Sequence, residues 1–127
     1  MIRRTWEAVR RGDIEPALDM MAPEVEMDLT TGGRMDADIY RGPDGVRCAY
    51  QLWASSWESL DMEAKEITDL GDNRLIVQFT SRGHSSQTGL DFEMDRYWVY
   101  AMRRGRVVRI QEFETRQQAL KAVGLEE

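Results

Sequence analysis

A chain of 127 residues, 42% hydrophobic and 31% charged, has room for one domain and enough apolar material for its core, which excludes wholesale disorder. With 17 basic and 23 acidic residues the net charge is −6, so neither nucleic acid nor a membrane surface is an expected partner. A single cysteine, Cys48, and a single histidine, His84, exclude a disulfide framework and the usual zinc sites, so no metal or cofactor is expected.

The opening MIRRTWEAVRRGD is charged and lacks an apolar secretory stretch, which makes a cytoplasmic location the expectation. Ile2, Trp6 and Val9 share one helical face, and Gly12 ends that helix. Asp13 reads as the N-cap of a second short helix over 14–21, with Pro16 in its first turn and Pro23 closing the pair. Val25, Met27 and Leu29 alternate with Glu26, Asp28 and Thr30 at strand period. The stretch TTGGRMDADIYRGP has no sustained period and reads as a loop. From 43 to about 60 the helical pattern returns, with Val46, Tyr50, Trp53 and Trp57 on one stripe.

Residues 61–70, 73–83, 89–102 and 106–114 read as four strands joined by short turns at Gly71-Asp72, His84–Thr88 and Arg103–Gly105. Thr115 and Gln118 form a capping-box start for a last helix stopped at Gly124. No repeat or linker interrupts the chain, so 1–127 reads as one unit. The order predicts an α+β fold with helices on one face of an antiparallel sheet.

Several segments carry a resemblance: RRGDIEPALDMMAPEVEMDL, YRGPDGVR, the Gly71-Asp72 turn, and RRGRVVRIQEFETRQQALKAVGL. In this order they resemble the SnoaL-like polyketide cyclase branch of the nuclear transport factor 2-like, or ketosteroid isomerase-like, superfamily. The resemblance implies a cone-shaped curved antiparallel half-barrel wrapped by about three helices, plus a C-terminal helix, around a pocket for a small hydrophobic molecule. It also implies a homodimer packed sheet to sheet. The fold serves cyclases, isomerases, hydratases and non-catalytic modules alike, so it does not by itself choose among them.

By the same resemblance, Met27 and Leu29 face inward on the first strand, as do Met94, Arg96, Trp98 and Tyr100 on the fourth and Ile110, Glu112 and Glu114 on the fifth. The positions that match a ketosteroid isomerase site hold Leu29, Thr5 and Trp98, and those that match a limonene-type epoxide hydrolase hold Phe79 and Ser81. One carboxylate, Glu112, fits a single acid/base role. Asp28 is one residue out of phase and belongs to the other face. With a three-residue loop at Arg103–Gly105, Arg96 is expected directly opposite Glu112. That pair reads either as a structural ion pair of the barrel wall or as a functional pair that polarises a bound carbonyl or enol.

His84 reads either as a solvated turn histidine or as a proton carrier at the pocket mouth. Trp53, Trp57, Phe79, Trp98 and Tyr100 are either plain core or the lining of a pocket for a flat ligand, and Tyr40 is a rim residue on a loop that acts as a lid. Cys48 reads as packing. Ile76, Tyr97, Val99, Ala101 and Phe113 make an apolar centre on the outer sheet face, which points to the dimer surface. The leading expectation is therefore a small-molecule-binding protein with Glu112 as its acid/base. A non-catalytic binding or dimerisation module of the same fold is the alternative.

Overall fold

Helix α1 (Ile2–Arg10) ends where Gly12 takes a φ of +87°, a left-handed conformation that a glycine adopts without steric cost. The computed structural model describes residues 2–30, 38–55, 57–85 and 87–124. Asp13 Oδ1 accepts the Glu15 amide at 3.1 Å, and the second helix, α2, runs only from Glu15 to Asp19. Met21, expected inside that helix, instead opens strand β1 (Met21–Asp28). The reason is a competing ladder: the Met20 carbonyl accepts the Val107 amide at 2.9 Å, and Met21 pairs with Val107. Pro23 lies within the register shift between Met21 and Glu26, where a residue with no N–H is tolerated.

Strand β2 (Ile39–Arg41) pairs antiparallel with β1 inside the stretch read as a loop, and residues 31–37 of that stretch lie outside the described residues. Three residues are too few to print a period on the sequence. Helix α3 (Gly42–Ser55) stops five residues short of its expected end. The Glu58 amide donates to the His84 carbonyl at 2.9 Å, which draws the chain into the sheet, and strand β3 (Ser59–Gly71) begins there.

Strands β4 (Arg74–His84), β5 (Asp91–Arg103) and β6 (Arg106–Phe113) continue an antiparallel meander. The six strands form one curved, unclosed sheet in the order β2-β1-β6-β5-β4-β3. It is mixed rather than wholly antiparallel, because β1 runs parallel to β6.

The β5–β6 connection differs from expectation in two places. The turn holds two residues, Arg104 and Gly105, at φ +54° and +78°, the positive pair that suits a tight hairpin. The ladder then slips by one residue between Ala101 and Met102, so Val108 is left over as a bulge. Each change moves the pairing by one, and together they move it by two. Trp98, not Arg96, therefore faces Glu112, yet every side chain keeps its expected face.

The inner sheet face carries Val25, Met27, Val77, Phe79, Tyr100 and Ile110, packed under Ile2, Trp6 and Leu18 of the helices. The outer face has its own cover. Helix α4 (Arg116–Ala122) is capped by Thr115 Oγ1, which accepts the Gln118 amide, while Gln118 Oε1 accepts the Glu114 amide, both at 3.1 Å. Its Ala119 and Leu120 lie on Ile76, Val99 and Phe113. Those three residues of the apolar centre expected on the outer face are covered by the chain's own last helix, with Tyr97 packed beside them.

Candidate functional site

The inner face of the sheet and helices α1 and α3 enclose a cavity of about 370 Å³. That size suits a small molecule of one to three rings. Trp6 and Val9 from α1 and Val46, Ala49 and Trp53 from α3 form one wall, and Met27, Leu29, Phe79, Trp98 and Tyr100 form the sheet side. Tyr40 and Leu52 also line it, and Leu52 is 56% exposed, which marks the open end. Trp6, Phe79 and Trp98 form a tilted and edge-to-face aromatic cluster, with ring centroids 4.8, 5.3 and 4.9 Å apart.

Polar atoms in this wall are few and specific. Glu112, 2% exposed, is the one carboxylate among the described lining residues. Its Oε1 accepts the Trp98 indole N–H at 2.9 Å, the cross-strand contact that the shifted register creates. The Tyr100 hydroxyl accepts the Trp6 indole N–H at 3.1 Å, and burial pushes its pKa well above that of an ordinary phenol. The Thr5 hydroxyl donates to the Ile2 carbonyl at 2.7 Å within α1. Arg96, with its side chain 15% exposed, also lines the cavity, and its Nη1 stands 3.9 Å from Glu114 Oε1 rather than opposite Glu112. Ser81, 1% exposed, and the phenols Tyr40 and Tyr50 also line the cavity.

The structure brings Glu112, Arg96, Met27, Leu29, Tyr40, Trp53, Phe79, Trp98 and Tyr100 around one cavity. Two expected residues stand apart. Trp57 follows the end of α3, so the helical spacing that aligned it with Trp53 no longer applies. It packs on Phe92, with ring centroids 4.4 Å apart, and on Gly83. His84 is 45% exposed, carries Nδ1 against Asp91 Oδ1, and borders a separate shallow depression with Asp61, Arg82 and Glu93. As the last residue of β4 it is out of phase with the inward Phe79 and Ser81.

Asp28 is buried but turned to local work: its Oδ1 accepts the Thr30 amide at 2.9 Å. Cys48, read as packing, is exposed on α3. Met62 and Met94 are lining residues that sequence reasoning passed over or left unweighted, although both fall on the inward period of their strands. Among the described residues no cluster of three His, Cys, Asp or Glu side chains is arranged to hold a metal ion, and no helix is long and apolar enough to cross a membrane.

A SnoaL-like domain profile matches residues 2–110. An uncharacterised protein of Mycobacterium tuberculosis (strain ATCC 25618 / H37Rv) is 25% identical over 114 residues, which covers 89% of this chain and 85% of that protein. Among solved structures, TerC co-crystallised with polyporic acid superposes with a TM-score of 0.71 at 20% identity, covering 95% of this chain and 91% of TerC. A nuclear transport factor 2-like protein of unknown function from Burkholderia pseudomallei K96243 gives 0.72 at 21% identity, with 98% and 92% covered. At these identities the structural likeness establishes the curved α+β cone fold. A profile match over most of its length settles the relationship: the chain belongs to the SnoaL-like family.

Proposed function

We propose that this protein binds a flat, mainly apolar carbonyl compound in its cavity and catalyses a cofactor-independent proton transfer, with Glu112 as the acid/base. The observation that carries this reading is a buried carboxylate, held by an indole N–H, in the wall of an otherwise apolar cavity. Burying a carboxyl group in such a wall is costly unless it is hydrogen-bonded, and carboxyl groups retained in clefts of this kind cluster at functional sites.

In the reaction, a Glu112 oxygen takes a proton from the carbon beside the substrate carbonyl. The C–H electron pair becomes the enolate double bond, and the carbonyl π pair moves onto oxygen. Tyr100, kept protonated by burial, has its own O–H to donate to that oxygen while its lone pair accepts from Trp6. Where the substrate carries a C=C bond β,γ to its carbonyl, the enolate is a dienolate. Return of the proton from Glu112 to the γ-carbon, as the oxygen pair re-forms C=O and the remaining C=C shifts into conjugation, completes an isomerisation. Attack of the enolate carbon on a second carbonyl of the same molecule closes a ring instead: the first C=O re-forms, the second carbonyl's π pair moves onto its oxygen, and that alkoxide takes the proton back from Glu112. The aromatic cluster of Trp6, Phe79 and Trp98 in the wall suits a flat aromatic body.

Deuterium exchange at the α-carbon of 2-tetralone, followed by NMR, tests the assignment. The wild-type protein is expected to accelerate exchange, and Glu112→Gln to lose about 10²- to 10⁴-fold of that acceleration while still binding the ketone. Unaltered exchange and affinity in Glu112→Gln would remove Glu112 from catalysis. A carrier without turnover is the second reading, and the absence of a second carboxylate among the described lining residues favours it. It predicts binding of 2-tetralone with no exchange above the solvent rate.

A further inference from the structure

Neither Glu112 nor Tyr100 accounts for the most deeply buried hydroxyl in the cavity wall. Ser81 is 1% exposed, lines the cavity, and its Oγ has no hydrogen-bond partner. In the sheet its neighbours across the strands are Met62 on β3 and Met94 on β5, and the next inward residue on β4 is Phe79. A thioether is a weak acceptor and a phenyl ring offers no strong partner, so this protein wall does not satisfy the hydroxyl. An alanine would fill the position without that penalty. The hydroxyl makes physical sense as a contact held for whatever enters the cavity.

A second observation gives the contact a direction. Ser81 pairs with Met94, Phe79 with Arg96, and Trp98 with Glu112. Ser81, Arg96 and Glu112 therefore step diagonally across β4, β5 and β6 on the same inner face. Each diagonal step is roughly 7–8 Å between Cα atoms. One end of the line offers a hydroxyl and a guanidinium, both donors, and the other end offers the carboxylate. Phe79 and Trp98 lie beside the line, with ring centroids 4.9 Å apart.

We propose that the Ser81–Arg96 end of the cavity is an anchoring subsite for an anionic oxygen group, such as a carboxylate, on a fused-ring ligand whose opposite edge lies at Glu112. The proposal rests on the functional reading for the cavity as a ligand site, but it does not need Glu112 to be catalytic. Ser81 donates its hydroxyl hydrogen to the anionic oxygen, Arg96 supplies the opposite charge, and the ring body spans Phe79 and Trp98. The molecule is thereby held with one edge, and not the other, against the carboxylate.

Equilibrium dialysis with 2-naphthoate and 2-methylnaphthalene, which differ only in the anionic group, tests the subsite. The wild-type protein is expected to hold 2-naphthoate at least about tenfold more tightly than 2-methylnaphthalene. Ser81→Ala should weaken 2-naphthoate by about fivefold to tenfold and leave 2-methylnaphthalene unchanged. Arg96→Met should abolish the preference. Without ligand, Ser81→Ala should melt at the wild-type temperature or above it.

No preference in the wild type, failure of both probes to bind, or an equal loss of both in Ser81→Ala overturns the subsite. So does a lower melting temperature for ligand-free Ser81→Ala, which would make the hydroxyl a structural group bonded to an internal water. If the naphthoate preference depends on Ser81 while Glu112→Gln leaves 2-tetralone exchange intact, only the catalytic assignment fails. If exchange depends on Glu112 while naphthoate binding ignores Ser81, only the subsite fails.

Discussion

Trp98 and Glu112 depend on one another across the β5–β6 ladder. The indole N–H is the donor seen on Glu112 Oε1, and both side chains lie in the inner wall. Trp98→Phe should destabilise the protein by about 1–3 kcal/mol through loss of that buried bond, measured by urea unfolding. Glu112→Gln keeps an acceptor oxygen for the indole and should cost less. A larger loss for Glu112→Gln than for Trp98→Phe would contradict this account. Gly83 is a separate constraint. A Cβ built there comes within 2.1 Å of Phe92 Cε1 and 3.0 Å of Trp57 Cδ2, so Gly83→Ala must displace the Phe92 ring and disturb its contact with Trp57. The expected cost is about 1–3 kcal/mol by the same assay.

The residue scale is also where the sequence was most informative about the site, for a reason specific to strands. Side chains alternate with a period of two, so an error of two residues in pairing leaves every face correct. The turn and the bulge at Val108 together moved the pairing by two, so Arg96, Trp98 and Glu112 all face the cavity as expected while the residue directly across the ladder from Glu112 is Trp98 and not Arg96. His84 was not legible in this way, because its role turned on which face the last residue of β4 takes. Ser81 was visible only as a position that lacked another family's residue, and its missing partner is a fact of three strands packed together.

Among the elements, helix α4 is the clearest case of a local signal with a non-local consequence. The Thr115–Gln118 capping pair was legible because it involves neighbouring residues alone. Where the helix docks was not, since Ile76, Val99 and Phe113 arrive from three different strands. The same limit explains the short α2 and α3. Both end where a backbone partner distant in sequence, Val107 or His84, captures the chain. Leu120→Ala should destabilise the protein by about 2–5 kcal/mol, readable as a lower urea midpoint, because it opens a cavity over the outer sheet face. A change within about 0.5 kcal/mol, the range of ordinary surface substitutions, would mean that α4 is not docked as described.

For the molecule as a whole, two sets of groups make stability depend on pH in opposite directions. The Lys65 ammonium and the Arg82 guanidinium hold the Glu63 carboxyl below its ordinary 4.5, and Arg47 does the same for Glu15. A lowered folded-state value means their contribution is present above pH 4.5 and is lost as the pH falls below it. Glu15 is exposed and Glu63 half-buried at the surface, so salt should screen the effect. Tyr100 acts at the other end. Burial raises its pKa above the ordinary 10.0, so its contribution is present below pH 10.0 and fades as the pH climbs beyond it. Melting temperatures should therefore fall on both sides of a broad plateau. Glu63→Gln should flatten only the acid side and Tyr100→Phe only the alkaline side. An alkaline limb unchanged by Tyr100→Phe would contradict the buried phenol.

The cavity between the inner sheet face and helices α1 and α3 is the proposed ligand site. The most direct test is a crystal structure of the protein grown with 2-naphthoate. The fused rings are expected packed against Phe79 and Trp98 inside the cavity, within contact distance of Glu112. Rings seated only in the shallow depression beside His84, with the cavity empty of ligand, would contradict it.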